Sequence, residues 1–337
     1  MTDPSFELLL FGAFVLTVGS TAVYILLARH FGIVATPNFR SLHEKAIPRG
    51  GGIVFSLVCL AVLTVLWRNG SIDGHLARTL VIGGLVAAAS GFVDDVIQLR
   101  VFVKLLIQAA LAAWILASNG GQAIYDVPLA PPLLDLAVSW FGLIWLFNLY
   151  NFIDGIDGLA SCGAILICAL ATLAVMHGHA DRSVLAVLAL IAVTTLGFIP
   201  FNWPPARLFM GDSGSLFLGF CFGSLLTATA SSGEVDLLVW VIIFAFFAGD
   251  TTTTTVLRIF LTDKWYRAHR SHAYQNLARM HGHRRVVNGV VLYHAAWLLP
   301  MSIIALRWPL MRMVIVVLAL MPVILWTIRY GPRLSSS

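Results

Sequence analysis

The chain has 337 residues, of which 59% are hydrophobic and 11% charged, and a net charge of +5. Soluble domains carry about 25% charged residues, so the composition excludes a water-soluble globular protein and makes lipid the solvent for most of the chain. The surplus positive charge lies mainly in short loops, where it favours anionic lipid headgroups and phosphorylated small molecules; nucleic acid binding is not implied.

Crossing ~30 Å of hydrocarbon takes ~20 apolar residues as helix. Such runs occur near 5 to 28, 50 to 67, 77 to 93, 102 to 118, 133 to 149, 159 to 177, 183 to 199, 213 to 230, 236 to 257, 287 to 306 and 309 to 328. The fifth starts at a proline cluster (Pro128, Pro131, Pro132), and little more than Arg307 separates the last two. The expected fold is therefore all-α, a polytopic membrane helical bundle of about ten to eleven transmembrane helices. It forms a single domain over residues 1–337, with no linker, soluble domain or internal repeat.

Lys- and Arg-rich loops stay in the cytoplasm. With the N-terminus outside, inward segments hold 16 of the 21 cations and the outside holds Arg68, Arg78, Arg182, Arg307 and Arg312. The first run has Asp3 and Glu7 where a cleavable signal would carry positive charge, so it is expected to remain as a span. Cys59, Cys162, Cys168 and Cys221 all fall in apolar runs without ligand-like spacing and read as small core hydrophobes.

Ionisable and amide side chains are costly in lipid and mark function there. Here they gather on the inward loops, whereas a transporter would distribute them through the bilayer depth. Of the acids, only Asp250 lies within a span, next to Thr251 through Thr255, whose hydroxyls can bend a helix to frame a site. A transporter or flippase of lipid-linked sugars is the rival reading from another class.

Four constellations carry the chemistry. Asp94-Asp95, closing the third span, can serve a hard Mg²⁺ ion, or one of them can take a proton. Lys104 and Gln108 follow on one helical face, Lys104 as a phosphate anchor or as a topology lysine. Asn148, Asn151, Asp154 and Asp157 recur every three residues, and such groups can read a uracil edge or hydroxyls. In Phe209-Met210-Gly211-Asp212-Ser213-Gly214-Ser215, a helix start can turn its backbone N–H groups to an anion, or Asp212 can simply cap the helix. His269-Arg270-Ser271-His272 places two histidines three apart between arginines, which suits an anion better than a metal. Lys45, Arg49 and Gly50-Gly51-Gly52, with Arg40 and His43, form a first inward loop that is either a phosphate site or a topology determinant. Asp154-Gly155-Ile156-Asp157-Gly158 also touches the CDP-alcohol phosphotransferase signature, but the carboxylates that should follow are absent before Asp181.

Pro48 to Gly52, Gly91 to Asp95, Asn148 to Ala160, Phe209 to Ser215 and His269 to His272, in this order, resemble the polyprenyl-phosphate N-acetylhexosamine-1-phosphate transferases over nearly the whole chain. The resemblance implies a bacterial inner-membrane enzyme with its active site on cytoplasmic loops. It would use a UDP-N-acetylhexosamine, undecaprenyl phosphate and Mg²⁺, with Mn²⁺ as a substitute, within the lipid bilayer and with a homodimer as a candidate assembly. By the same resemblance Asp212 is the Mg²⁺ ligand, joined by Asp94 and Asp95 as further candidates, and Phe209 stacks on uracil. Asn148, Asn151, Asp154 and Asp157 contact nucleotide and metal, Asp94, Asp95 and Lys104 lie near the polyprenyl phosphate, and His269, Arg270 and His272 lie near the sugar and diphosphate.

One departure stands out: the peptidoglycan translocases carry a His-His-x-x-Glu pattern in the last loop, and no Glu follows His272 here. That points to the branch that starts O-antigen or a similar surface polysaccharide, with GlcNAc, GalNAc, FucNAc and QuiNAc as candidate sugars. A UDP-GlcNAc enzyme of common-antigen, teichoic acid or peptidoglycan synthesis is the alternative within the family.

Overall fold

A computed structural model describes residues 4–35, 46–124, 131–261 and 271–332. Lys45, His269 and Arg270, with Arg40 and His43, lie outside the described residues. In chain order the helices are α1 (Pro4–His30), α2 (Gly52–Arg68), α3 (Gly74–Ile97), α4 (Val101–Ser118), α5 (Pro132–Ile153), α6 (Leu159–His177) and α7 (Arg182–Asn202). They continue as α8 (Asp212–Ser231), α9 (Leu237–Ile243), α10 (Ala245–Leu261), α11 (Ala273–His281), α12 (His283–Tyr293), α13 (Leu299–Arg307) and α14 (Arg312–Tyr330). Val34–Ala35 pairs antiparallel with Ile47–Pro48 and closes the base of the first inward loop.

The chain is a multi-pass membrane bundle. Among the described residues nine helices are long and apolar enough to span, α12 and α13 counting as one through the π turn His294–Leu298. α9 and α10 form a tenth span broken by 80°, and the 17-residue α2 is a shorter apolar helix. The bend expected at the threonines of the run over 236 to 257 lies elsewhere. The break falls at Phe244, before Asp250 and the threonine run, so those threonines do not cause it.

Several spans start where a side chain satisfies free helix N–H groups: Asp73 accepts from Leu76 N, Asp181 from Ser183 N and Val184 N, and Asp236 from Leu238 N. α8 is the axis of the bundle, with 83% of its apolar window buried, against 17% for α1 and 22% for α14, which face lipid. Gly214, Gly219 and Gly223 on α8 let neighbouring helices approach closely, and Phe147, Phe217, Phe220 and Phe222 fill the space around them. The four cysteines are free and buried, as expected of core hydrophobes.

α3, α5 and α7 end, and α4, α6 and α8 begin, at the same side of the bundle. The polar motifs, far apart in sequence, therefore meet there.

Candidate active site

The centre of the site is Lys104 on the first turn of α4. Its ammonium lies 3.1 Å from Asp212 Oδ2 on α8 and forms a closer ion pair with Asp94 Oδ2 on α3. The Lys104 side chain is 37% and Asp212 30% exposed, against 7% for Asp94, so the pair opens outward over a buried carboxylate. Asp94 Oδ1 also accepts the Leu99 N–H, which fixes the turn from α3 into α4. Asp94 and Asp95 are themselves helical, because α3 runs on to Ile97 before Gln98 takes a left-handed conformation and ends it.

The start of α8 is built by other helices. Asp95 accepts from the N–H groups of Asp212 (3.0 Å) and Ser213 (3.1 Å), and Asp154 Oδ2 accepts from Gly211 N–H (3.0 Å). These amides are the ones that a free helix start would offer to an anion. Here two carboxylates occupy them, which corrects that expectation. The N-cap position is Gly211, not Asp212. Gly211 has φ +74°, and a Cβ there would sit 2.4 Å from Asp95 Oδ1, so glycine is needed for both backbone and space. A Cβ on Gly91 would meet the Asp212 carbonyl oxygen at 2.3 Å; α3 and α8 touch through that glycine.

Asn148 and Asn151 stand on the last turns of α5, not in a loop. Asn151 Nδ2 donates to Asp212 Oδ1 (2.8 Å) and Ser215 Oγ (3.0 Å), while Asn148 exchanges amide hydrogen bonds with Gln108 on α4. Lys104 and Gln108, four residues apart, thus face α8 and α5 along one side of α4. Asp154 caps α5. Burial pushes its carboxyl well above the usual carboxylate range, and the charges of Asp212 and Asp95 push it further, against the Gly211 N–H.

Phe209 is half-buried and its backbone is stitched to the first inward loop. Its N–H donates to the Pro48 carbonyl (2.9 Å), and its carbonyl accepts from Gly51 (3.0 Å). Arg49 lies in that loop with its Nε buried and no partner among the described residues. Asp157 faces elsewhere: its Oδ2 accepts from Ala206 N–H (3.0 Å) and lies 3.2 Å from His283 Nδ1. His272 is 3% exposed, with Nδ1 3.0 Å from Asp250 Oδ2. Asp250 Oδ1 accepts from Ala273 N–H and Thr327 Oγ1, so this mid-span acid holds the start of α11 and ties it to α14.

Among the described residues no three His, Cys, Asp or Glu side chains form a cage for one ion. Asp94 and Asp212 do converge on one ammonium, and Asp95 and Asp154 add to the negative charge around Asp212. A carboxylate pair of which Asp212 is open to solvent fits Mg²⁺, which is commonly held by one or two carboxylates with water and substrate phosphate completing the shell. Asp95 fits less well, since both its oxygens hold the backbone amides that start α8, whereas Asp94 Oδ2 faces a movable ammonium.

Residues 77–230 match the family model for glycosyl transferase family 4. The chain is 28% identical to the probable undecaprenyl-phosphate N-acetylglucosaminyl 1-phosphate transferase of Bacillus subtilis, over 83% of this chain and 79% of that protein. It is 31% identical to the decaprenyl-phosphate N-acetylglucosaminephosphotransferase of Mycolicibacterium smegmatis, over 67% of this chain and 61% of the relative. Identity to the phospho-N-acetylmuramoyl-pentapeptide-transferase of Geobacillus kaustophilus is also 31%, over 72% of this chain and 80% of that one. The chain belongs to the polyprenyl-phosphate N-acetylhexosamine-1-phosphate transferase family.

In this transferase the family match holds every carboxylate of the Lys104 cluster, as well as Asn148, Asn151 and Phe209. His272 and His283 lie beyond it. Sequence reasoning passed over His283, one basic residue among several between Arg279 and Arg285, and over Ser215 as the second partner of Asn151. Their only signal is spatial.

Proposed function

We propose that this protein transfers N-acetylhexosamine 1-phosphate from a UDP-sugar to undecaprenyl phosphate and releases UMP. The reaction takes place at the cytoplasmic face of a bacterial inner membrane. The observation that carries this reading is Lys104, an ammonium held between Asp94 and Asp212 at the end of a membrane bundle, where a lipid phosphate and a soluble diphosphate can meet. The N-acetylglucosamine specificity named for the Bacillus and Mycolicibacterium relatives favours GlcNAc among the candidate sugars. The product, a lipid-linked diphosphate sugar, would start a surface polysaccharide such as O-antigen.

In the reaction an oxygen of the acceptor phosphate bonds to the β-phosphorus of the donor, and the bond from that phosphorus to the bridging oxygen breaks. UMP leaves with the bridging oxygen. A phosphate monoester with a second pKa near ~6 is already largely dianionic at neutral pH, so no residue has to remove a proton from it. Positioning and charge neutralisation then carry most of the catalysis. Lys104 supplies the positive charge that draws the acceptor phosphate in, and Asp94 holds that ammonium in place. Asn151 fixes the Asp212 carboxylate through Oδ1, and Oδ2 carries the Lys104 contact that a bound cation would replace. Asp94 and Asp212 would hold Mg²⁺, which when bound neutralises the diphosphate oxygens. Arg49 offers a donor to the same anionic substrates. Incubation of purified protein with Mg²⁺, undecaprenyl phosphate and each UDP-N-acetylhexosamine, with the lipid product read by mass, tests the reading. A product with one sugar names the donor, and a lipid fraction unchanged by every donor contradicts the proposal.

A further inference from the structure

α11 lies between two histidine–aspartate pairs. At its start His272 meets Asp250; just past its end, at the first residue of α12, His283 meets Asp157. Gly282, with φ +83°, makes the sharp turn that brings His283 back toward the Asn148 to Asp157 segment. His283 Nδ1 accepts the Asp157 backbone N–H at 3.3 Å and lies 3.2 Å from Asp157 Oδ2. The same Oδ2 accepts the Ala206 N–H, two residues before the Leu208-Phe209 strand of chain that runs into Asp212. Between the two pairs, Tyr274 Oη donates to the Phe152 carbonyl. α11 therefore straps the back of the Asn151 to Asp157 turn, and His283 is its far buckle.

We propose that His283 is a positioning residue for the nucleotide half of the donor. It holds Asp157 at the turn after α5, and Asp157 Oδ2, accepting from Ala206 N–H, joins that turn to the one before Phe209. This rests on the reading of the protein as a UDP-sugar transferase. Both turns carry the groups suited to a uridine: amides and carboxylates on one, an aromatic ring on the other. Asp157 is held by its main chain, whose N–H donates to His283 Nδ1, and by its side chain, whose Oδ2 accepts from Ala206 N–H, and a residue fixed at both ends lowers the ordering cost of each hydrogen bond to a ligand. His283 and Asp157 are only 18% and 15% exposed, so the contact is not a freely solvated surface pair. Neither belongs to the Lys104, Asp94 and Asp212 group, so the effect should fall on donor binding and not on the transfer step.

The test compares wild type, His283→Ala, His283→Asn, Asp157→Asn and the double variant His283→Ala/Asp157→Asn. Turnover kinetics are followed with UDP-GlcNAc and undecaprenyl phosphate varied separately, and UDP affinity is measured by calorimetry. His283→Ala is expected to raise the donor KM and the UDP dissociation constant about tenfold, with kcat and the acceptor KM changed less than about threefold. Asn places an amide oxygen, which can accept the Asp157 N–H, near the position of Nδ1, so His283→Asn should recover part of the donor KM. The double variant should bind donor no worse than Asp157→Asn, because the two residues act as one unit. Melting curves show whether each variant is folded. Loss confined to kcat, equal rises in both KM values, additive effects in the double variant, or unchanged UDP affinity would each overturn the proposal. If wild type turns over no UDP-sugar yet binds UDP, the transferase reading fails and the calorimetry still decides the role of His283. If wild type binds no UDP, the inference fails too.

Discussion

Asp95 on α3 accepts the backbone N–H groups of Asp212 and Ser213 at 3.0 and 3.1 Å, across 117 residues of sequence. A carboxylate from one membrane helix thereby caps the first turn of another, and the side chain of Asp212 is left free to face Lys104. Asp95→Ala leaves two N–H groups without acceptors and should cost about 2 kcal/mol or more of stability. Asp95→Asn, with one carbonyl oxygen in place of two, should lose less. Thermal melting of the detergent-solubilised protein checks this: both variants melt below wild type, Ala lowest, and activity falls with them.

Asp94 and Asp95 are adjacent and should fail differently. Asp94→Asn breaks an ion pair to Lys104 that is open at one end, so it should abolish most turnover while the protein stays folded. If the acceptor phosphate needs no general base, the residual activity of Asp94→Asn keeps the acidic limb of the wild-type pH profile. Disappearance of that limb would show Asp94 to be a base.

Lys104→Met removes the ammonium between two carboxylates. By analogy with removing one charge-stabilising donor from an active site, turnover should fall about 10²–10³-fold. Arg presents a planar fork where Lys presents a compact charge, so Lys104→Arg should restore only part of the rate. Steady-state kinetics against undecaprenyl phosphate provides the readout.

The contact of α3 with α8 through Gly91 can be tested by a single methyl group. Gly91→Ala would place a Cβ 2.3 Å from the Asp212 carbonyl oxygen and must push the helices apart, whereas Gly289→Ala on α12 meets no atom within 4 Å. The first should lower both melting temperature and activity at least about tenfold in rate; the second should leave both unchanged.

The architecture was legible because apolar runs in lipid must be helices. The site was legible in outline because carboxylates at membrane boundaries are too costly to be incidental. The hydropathy pattern placed Asp94 and Asp95 just beyond a span, since an apolar run stops at the first charge; the hydrogen-bonded helix continues to Ile97. The division of labour between these two neighbours could not be read, because it depends on where α8 begins in space. The bend at Phe244 has no proline or glycine at the break to announce it, so the threonine hydroxyls were the visible cause, and the partners of Asp250, His272 and Thr327, are distant in sequence.

The raised Asp154 carboxyl gives a pH signature. In the folded protein its proton is held to higher pH than in the unfolded chain, so without a cation the fold loses stability as pH rises from the ordinary carboxylate range near ~4 through the raised value. A divalent cation at Asp212 offsets the same crowding of negative charge. The rise in melting temperature on adding Mg²⁺ should therefore be larger at pH 8 than at pH 5.5, and EDTA should reverse it. An equal shift at both pH values would argue against a cation beside Asp154.

UMP release by the purified protein, with and without undecaprenyl phosphate and Mg²⁺, and with Asp212→Ala alongside, is the most direct measurement. The account predicts release from UDP-GlcNAc or a related UDP-N-acetylhexosamine that requires both the lipid phosphate and the cation and vanishes in Asp212→Ala. Release that persists in Asp212→Ala, or no release from any donor while lipid-linked sugars cross reconstituted vesicles, would contradict it.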